Sequence, residues 1–160
     1  MELYFLRHGA ADKRGEWQGD DRLRALTPDG AAAVGRITAA LAAAGLSVDV
    51  IVSSPLLRAR QTADIAAKEL GHKAGVVEDE RLANGFDLGK LAALLADIGR
   101  PPRAMLVGHE PSFSGTIGEL TGARVVCKKG SVARVDVSES DGTTLRGELV
   151  WLLPPRLFGG

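Results

Sequence analysis

Apolar residues fall along this chain in short runs that end abruptly in polar clusters, and the clusters share a theme. Leu3, Tyr4, Phe5 and Leu6 run into Arg7-His8-Gly9. Val48, Val50, Ile51 and Val52 run into Ser53-Ser54-Pro55-Leu56-Leu57-Arg58, and Met105, Leu106 and Val107 run into Gly108-His109-Glu110. Runs of this length, apolar without alternation, read as strands buried on both faces. The segments between them carry apolar residues at helical spacing. Thr27 caps and Pro28 opens a helix whose inner face is Val34, Ile37 and Leu41, and Gly45 stops it. Ser54-Pro55 repeats the cap-then-proline signal ahead of a second helix, with Ala59, Ala63, Ala66 and Leu70 inward.

Downstream, Gly75-Val76-Val77 is a weaker third strand, residues 88–98 a short helix and residues 104–107 a fourth strand. Pro111 begins a further helix with Phe113, Ile117 and Leu120 on one face and Gly122 at its end. Two runs, 132–137 and 145–153, close the chain, and Asp141-Gly142 between them marks a hairpin turn. The order β-α-β-α-β-α-β-α-β-β predicts an α/β fold. It is a three-layer α/β/α sandwich with a mainly parallel central sheet and an antiparallel C-terminal edge. Residues 1–160 read as one domain, because a chain of this length buries roughly 70% of its unfolded surface on folding.

Composition narrows the function. Lys+Arg and Asp+Glu balance at 20 each, so nothing in the bulk charge argues for nucleic acid or an anionic membrane as partner. Any electropositive site must be local. Cys127 is the single cysteine, which fits a reducing compartment. The start, Met1-Glu2-Leu3-Tyr4, lacks the features of a signal peptide, and no apolar run approaches the ~20 residues that span a bilayer. The expectation is a cytoplasmic protein.

In open α/β sheets the ligand crevice lies beyond the carboxyl ends of the strands, so the three clusters should meet there. Arg7 and Arg58 offer planar forks that match phosphate oxygens and stay charged at any working pH. Arg58 falls in the first turn of its helix, beside backbone N–H groups that favour anions. His8 and His109 add two imidazoles. One can attack phosphorus and the other can donate to a phosphoryl oxygen, and the arginines are expected to lower both pKa values. The combination reads as a phosphate-handling site.

Residues 11–25 form a long polar loop with Lys13, Arg14, Glu16, Asp20 and Asp21, and loops of that length tend to be functional or mobile. Arg22 and Arg24 read as solvated loop residues, with Arg24 the stronger candidate for a substrate contact. Trp17 either packs that loop down or touches a partner. Arg60 and His72 read as surface groups. A metal site is disfavoured, since His109-Glu110 lacks a following helical histidine, Cys127 has no thiolate partner and two arginines would repel a cation. No phosphate-binding glycine loop occurs, and Ser112 and Ser114 lack a nucleophile elbow.

Taken in order, Arg7-His8-Gly9, Ser54-Pro55-Leu56-Leu57-Arg58-Ala59 with Gln61-Thr62, and Gly108-His109 resemble the histidine phosphatase superfamily, with its phosphoglycerate mutase-like fold. The short length and the Leu26-Thr27-Pro28-Asp29-Gly30 helix start most resemble its SixA-type phosphohistidine phosphatase branch. The resemblance implies that His8 is the nucleophile, that Arg7, Arg58 and His109 cradle the phosphoryl group, and that no metal or organic cofactor is used. It also implies a phosphorylated protein as substrate, such as a phosphohistidine-bearing histidine phosphotransfer domain in signalling. The chain lacks room for the covering insertions of larger relatives. Two further readings stay open. One is a small-molecule phosphomonoesterase with Glu110 or Glu80 as general acid; Glu110 loosely matches the acidic residue that follows the second histidine in acid phosphatases. The other is a non-catalytic phosphate-binding module.

Overall fold

Strand β1 (Glu2–Arg7) sorts the core in two, because successive side chains of a strand point to opposite faces. Leu3 and Phe5 join one apolar cluster, while Tyr4 and Leu6 join another. A computed structural model describes residues 1–140 and 144–159. Among them, strands β2 (Val50–Ser53), β3 (Val76–Glu78), β4 (Arg103–Gly108), β5 (Val132–Ser140) and β6 (Thr144–Leu153) complete a sheet of order β3-β2-β4-β1-β5-β6. The first four in that order are parallel, and β5 and β6 are antiparallel to their neighbours. Helices α1 (Pro28–Ala43) and α2 (Leu57–Glu69) cover one face through Ile37, Leu41, Ala59, Ala63 and Ala66. Helices α3 (Leu88–Asp97) and α4 (Ser112–Thr121) cover the other through Leu91, Leu94, Phe113 and Ile117. This is the predicted three-layer sandwich, parallel in the middle with an antiparallel edge. Among the described residues, no helix is long and apolar enough to cross a membrane.

The start of α1 carries a positional constraint. Thr27 caps the helix by accepting from the Gly30 N–H at 3.0 Å, and the Thr27 N–H donates to the Ala10 carbonyl at 2.9 Å. A Cβ at Gly30 would lie 2.1 Å from that same Ala10 oxygen. Only glycine lets the helix approach the backbone that leaves β1, so the Leu26–Gly30 pattern fixes where His8 emerges. Gly108 plays the same part on β4, where an added Cβ would sit 2.7 Å from the Phe113 ring.

Two local expectations need correction. Helix α2 starts at Leu57 and not at Ser54; its N-cap is Leu56, which makes no side-chain cap bond. Ser54 Oγ instead accepts from the Leu56 N–H at 3.2 Å, shaping the turn before the helix. Strands β5 and β6 extend beyond the predicted runs, and the register shifts between Arg134 and Val135. The predicted Asp141-Gly142 turn lies outside the described residues. The 11–25 loop, finally, is built. Ala11 bridges Leu26, Trp17 Nε1 donates to the Asp20 carbonyl at 2.9 Å, and Asp21–Leu23 forms a short 3-10 turn. Trp17 thus packs the loop on itself.

Candidate active site

The ends of β1 and β4 are laced together at the point where both chains leave the sheet. The His8 N–H donates to the Gly108 carbonyl at 3.0 Å, so His8 and His109 emerge side by side from adjacent parallel strands. Their ring centroids are 5.2 Å apart at 52°. The first turn of α2 brings in Arg58. One turn later, Thr62 Oγ1 donates to the Arg58 carbonyl at 2.7 Å and accepts from the Gly9 N–H at 3.1 Å. A single hydroxyl thereby couples the helix that carries Arg58 to the segment that carries His8. Arg7, His8, Arg58 and His109 line one cleft of about 380 Å³ beyond the carboxyl ends of the strands. Four side chains, drawn from three distant stretches of sequence, meet as expected.

Each ring is oriented by a neighbour. His8 Nδ1 lies 2.7 Å from the Gly9 carbonyl, which can only accept. Nδ1 therefore carries the proton, and Nε2 keeps its lone pair. His109 Nε2 lies 2.8 Å from Ser54 Oγ, giving Ser54 a role that the capping signal did not suggest. Arg7 Nη1 donates to the Cys127 carbonyl at 2.9 Å. The Nε atoms of Arg7 and Arg58 are buried and find no hydrogen-bond partner among the described residues. Donors of that kind suit an oxyanion.

Burial is the main cause of the histidine shifts. It pushes His8 down to about 3, with His109, Arg58 and Arg7 adding to the effect against the Gly9 carbonyl. His109 is pushed down to about 4, again first by burial and then by Arg58. The arginines act in the expected direction but rank below desolvation. Burial also lowers both guanidinium groups, which nonetheless stay charged at neutral pH.

The sign of the resulting pH dependence follows from linkage. An unfolded imidazole takes up a proton near pH 6.5, whereas folded His8 resists protonation down to about 3. Between those values the unfolded chain binds more protons, so stability complete above pH 6.5 is lost as the pH falls. For His8 the loss between pH 7 and pH 4.5 is on the order of 2–3 kcal/mol. Urea unfolding at the two pH values should show a smaller drop for His8→Asn than for the native chain. Equal drops would contradict the shift.

Asp21 is the site residue that sequence reasoning missed. Its carbonyl accepts from Arg58 Nη1 at 2.9 Å and its carboxylate from Arg58 Nη2 at 3.1 Å. The same carboxylate accepts from Arg24 Nε at 3.0 Å. Burial works to raise the Asp21 carboxyl, but Arg24 and Arg58 outweigh it and hold it below the usual carboxylate value. The available signal was a carboxylate followed closely by Arg22 and Arg24 in a loop too long to be idle. Arg24 is correspondingly not solvated. It is 8% exposed, and Nη1 donates to the Asp12 carbonyl at 2.7 Å. It lines the cleft as a clamp on Asp21. Asn84 and Lys129 also line the cleft, and no motif in the sequence marks them.

Of the two candidate acids, Glu110 lines the cleft and its Oε1 accepts from the Ser114 N–H at 3.1 Å. Glu80 does not line it. The 3-10 turn Glu80–Leu82 buries Leu82 and leaves Glu80 exposed, paired with Arg22 at 2.7 Å. Arg60 pairs with Asp64 and Glu78 on the helix surface, and His72 sits against the Gly75 carbonyl at the far end of α2. Among the described residues, no group of three or more His, Cys, Asp or Glu is placed to share a metal ion.

The family model of the histidine phosphatase superfamily (branch 1) matches residues 3–104, a span that includes Arg7, His8 and Arg58. An uncharacterized protein of Picosynechococcus is 36% identical over 168 residues, covering 96% of this chain and all of that one. Among solved structures, the protein histidine phosphatase SixA complexed with tungstate superposes with a TM-score of 0.85 at 23% identity, over 98% of this chain and 99% of that one. A candidate phosphohistidine phosphatase SixA from Nakamurella multipartitia gives 0.78 at 26% identity, over 96% and 95% of the two chains. A mycobacterial glucosyl-3-phosphoglycerate phosphatase with bound VO3 gives 0.70 at 18% identity, over 94% and 98%.

Proposed function

The chain belongs to the histidine phosphatase superfamily, branch 1, with phosphatase chemistry as its general activity, and from that premise we propose that it hydrolyses phosphohistidine on a protein through a phosphoenzyme at His8. The observation that carries the reading is the meeting of Arg7, His8, Arg58 and His109 in one cleft, with His8 Nε2 left basic by the Nδ1 contact to Gly9. The Nε2 lone pair attacks phosphorus and forms a P–N bond as the bond to the substrate imidazole breaks. The departing imidazole leaves with the proton it acquired beforehand, so little general-acid help is needed. Water then attacks phospho-His8, releases inorganic phosphate and restores the imidazole. Throughout, Arg7, Arg58 and His109 stabilise charge on the equatorial oxygens, which is the main task in phosphoryl transfer.

The cleft edge supports a protein substrate. Lys13, Arg14 and Lys129 are exposed and border it, as suits a phosphorylated side chain presented from outside. The SixA-type structures add support through their fold, and that of the tungstate complex is the closer of the two in TM-score. The deciding experiment is a turnover panel that sets a phosphorylated histidine phosphotransfer domain against common phosphoesters. Preference for the phosphohistidine protein is expected; turnover of phosphoesters alone would replace the reading.

Two further outcomes test the chemistry. Activity should survive EDTA and fall with vanadate, and the trapped phosphoenzyme should be acid-labile and alkali-stable, as a P–N bond is. An acid-stable adduct would exclude His8 as the phosphorylated group. The second reading, a phosphomonoesterase, draws on the position of Glu110 in the cleft. An alkoxide leaving group requires a proton, so Glu110→Gln should depress ester hydrolysis about 100-fold or more while sparing phosphohistidine turnover. Similar losses on both substrates would remove Glu110 from the acid role.

A further inference from the structure

Beside the catalytic cleft lies a second groove of about 430 Å³, and the two share Lys129. Its walls are apolar: Val126, Leu152, Pro154 and Pro155 line it, and Val126 is 64% exposed. Lys128, Lys129 and Arg156 also line it, are exposed, and make no salt bridge among the described residues. This is a local excess of positive charge in a chain whose formal charges sum to zero. Ser131 lines the groove as well; it is 1% exposed, and its Oγ has no partner among the described residues.

The groove is joined to the nucleophile through the backbone. The Gly130 N–H donates to the carbonyls of Arg7 and His8 at 3.1 and 3.0 Å, and the Arg7 N–H donates to the Ser131 carbonyl at 3.1 Å. An extended segment leaving the catalytic cleft past Lys129 would enter it directly. Apolar walls with an unpaired basic rim match one kind of occupant, a segment with acidic residues flanking an apolar one.

We propose that this groove docks an acidic, apolar-centred segment of the phosphorylated protein while its phosphohistidine occupies the catalytic cleft. The proposal rests on the phosphohistidine reading above and names the partner surface that the reading requires. Docking of this kind adds affinity for the protein substrate and leaves the chemical step alone. It therefore appears in KM for the protein and in its salt dependence.

The test compares the native chain with Lys128→Glu/Arg156→Glu, and separately with Val126→Asp, on two substrates. One is a phosphorylated histidine phosphotransfer domain and the other is free phosphohistidine. All three positions are exposed, and thermal melting confirms that the variants fold. The expected result is a loss of roughly tenfold or more in kcat/KM on the protein, carried by KM, with turnover of free phosphohistidine within about twofold. Added salt should lower kcat/KM on the protein for the native chain far more than for the charge-reversed variant. Unchanged kinetics on both substrates, or equal losses on both, overturn the docking groove and leave the phosphohistidine assignment standing. A native chain that hydrolyses phosphoesters but neither phosphohistidine substrate overturns both.

Discussion

Replacing His8 with asparagine is expected to lower kcat on a phosphohistidine protein by at least about 10⁴-fold, because loss of a covalent nucleophile removes the whole two-step route. The side chain sits at the exit of β1, oriented by the Gly9 carbonyl and pressed into a cleft where burial keeps it neutral. No other imidazole is equivalently placed. His109 is tied through Nε2 to Ser54, and its ring lies 5.2 Å away. Asparagine preserves a polar group of similar reach, so the cleft should still bind inorganic phosphate while no labelled phosphoenzyme can be trapped. Rapid-quench labelling distinguishes the outcomes. A variant that still accumulates label would move the nucleophile elsewhere.

The second large effect concerns Arg58. Its replacement with alanine should cost about 100- to 1000-fold in kcat/KM, roughly 2.7–4 kcal/mol, the range seen when one preorganised oxyanion donor is lost. Arg7→Ala should fall in the same range. For Arg58 the loss has a second component, since Asp21 then keeps Arg24 but loses the guanidinium that neutralises it on the cleft wall. An unbalanced carboxylate repels a phosphoryl dianion. Arg58→Ala combined with Asp21→Asn should therefore recover part of the activity, and the double-mutant cycle measures the coupling. Additive losses would show that Asp21 exerts no charge effect on the bound group. Arg58→Lys should rescue incompletely, because an ammonium cannot reproduce the planar fork.

The contrast between Arg58 and Asp21 shows where sequence reading reaches its limit. Arg58 is legible because it falls in the first turn of a helix that follows a buried strand, so its end of the sheet follows from chain order alone. Asp21 belongs to a loop with no apolar period, and nothing local indicates that it reaches 37 residues along the chain to Arg58. Arg24 misleads for the same reason. An arginine in a polar loop ordinarily stays in water, and here it is buried only because Asp21 and the Asp12 carbonyl take up its donors. Ser54 shows a subtler failure: a serine before a proline resembles a cap, yet its hydroxyl serves the turn and His109 instead.

Periodicity and chain order were enough to determine the layers, the parallel sheet with its antiparallel edge, and the end of that sheet at which Arg7, His8, Arg58 and His109 gather. Those properties arise from burying apolar faces, which is a local demand repeated along the chain. Only the tertiary structure decided how the four are charged and held: the dominance of burial over the arginines in the imidazole shifts, the Asp21 clamp, the exclusion of Glu80 from the cleft and the basic groove beside it. Each depends on which polar groups lose water and which partners meet them across the fold. That is a matter of distances in space, and spacing in sequence does not contain it.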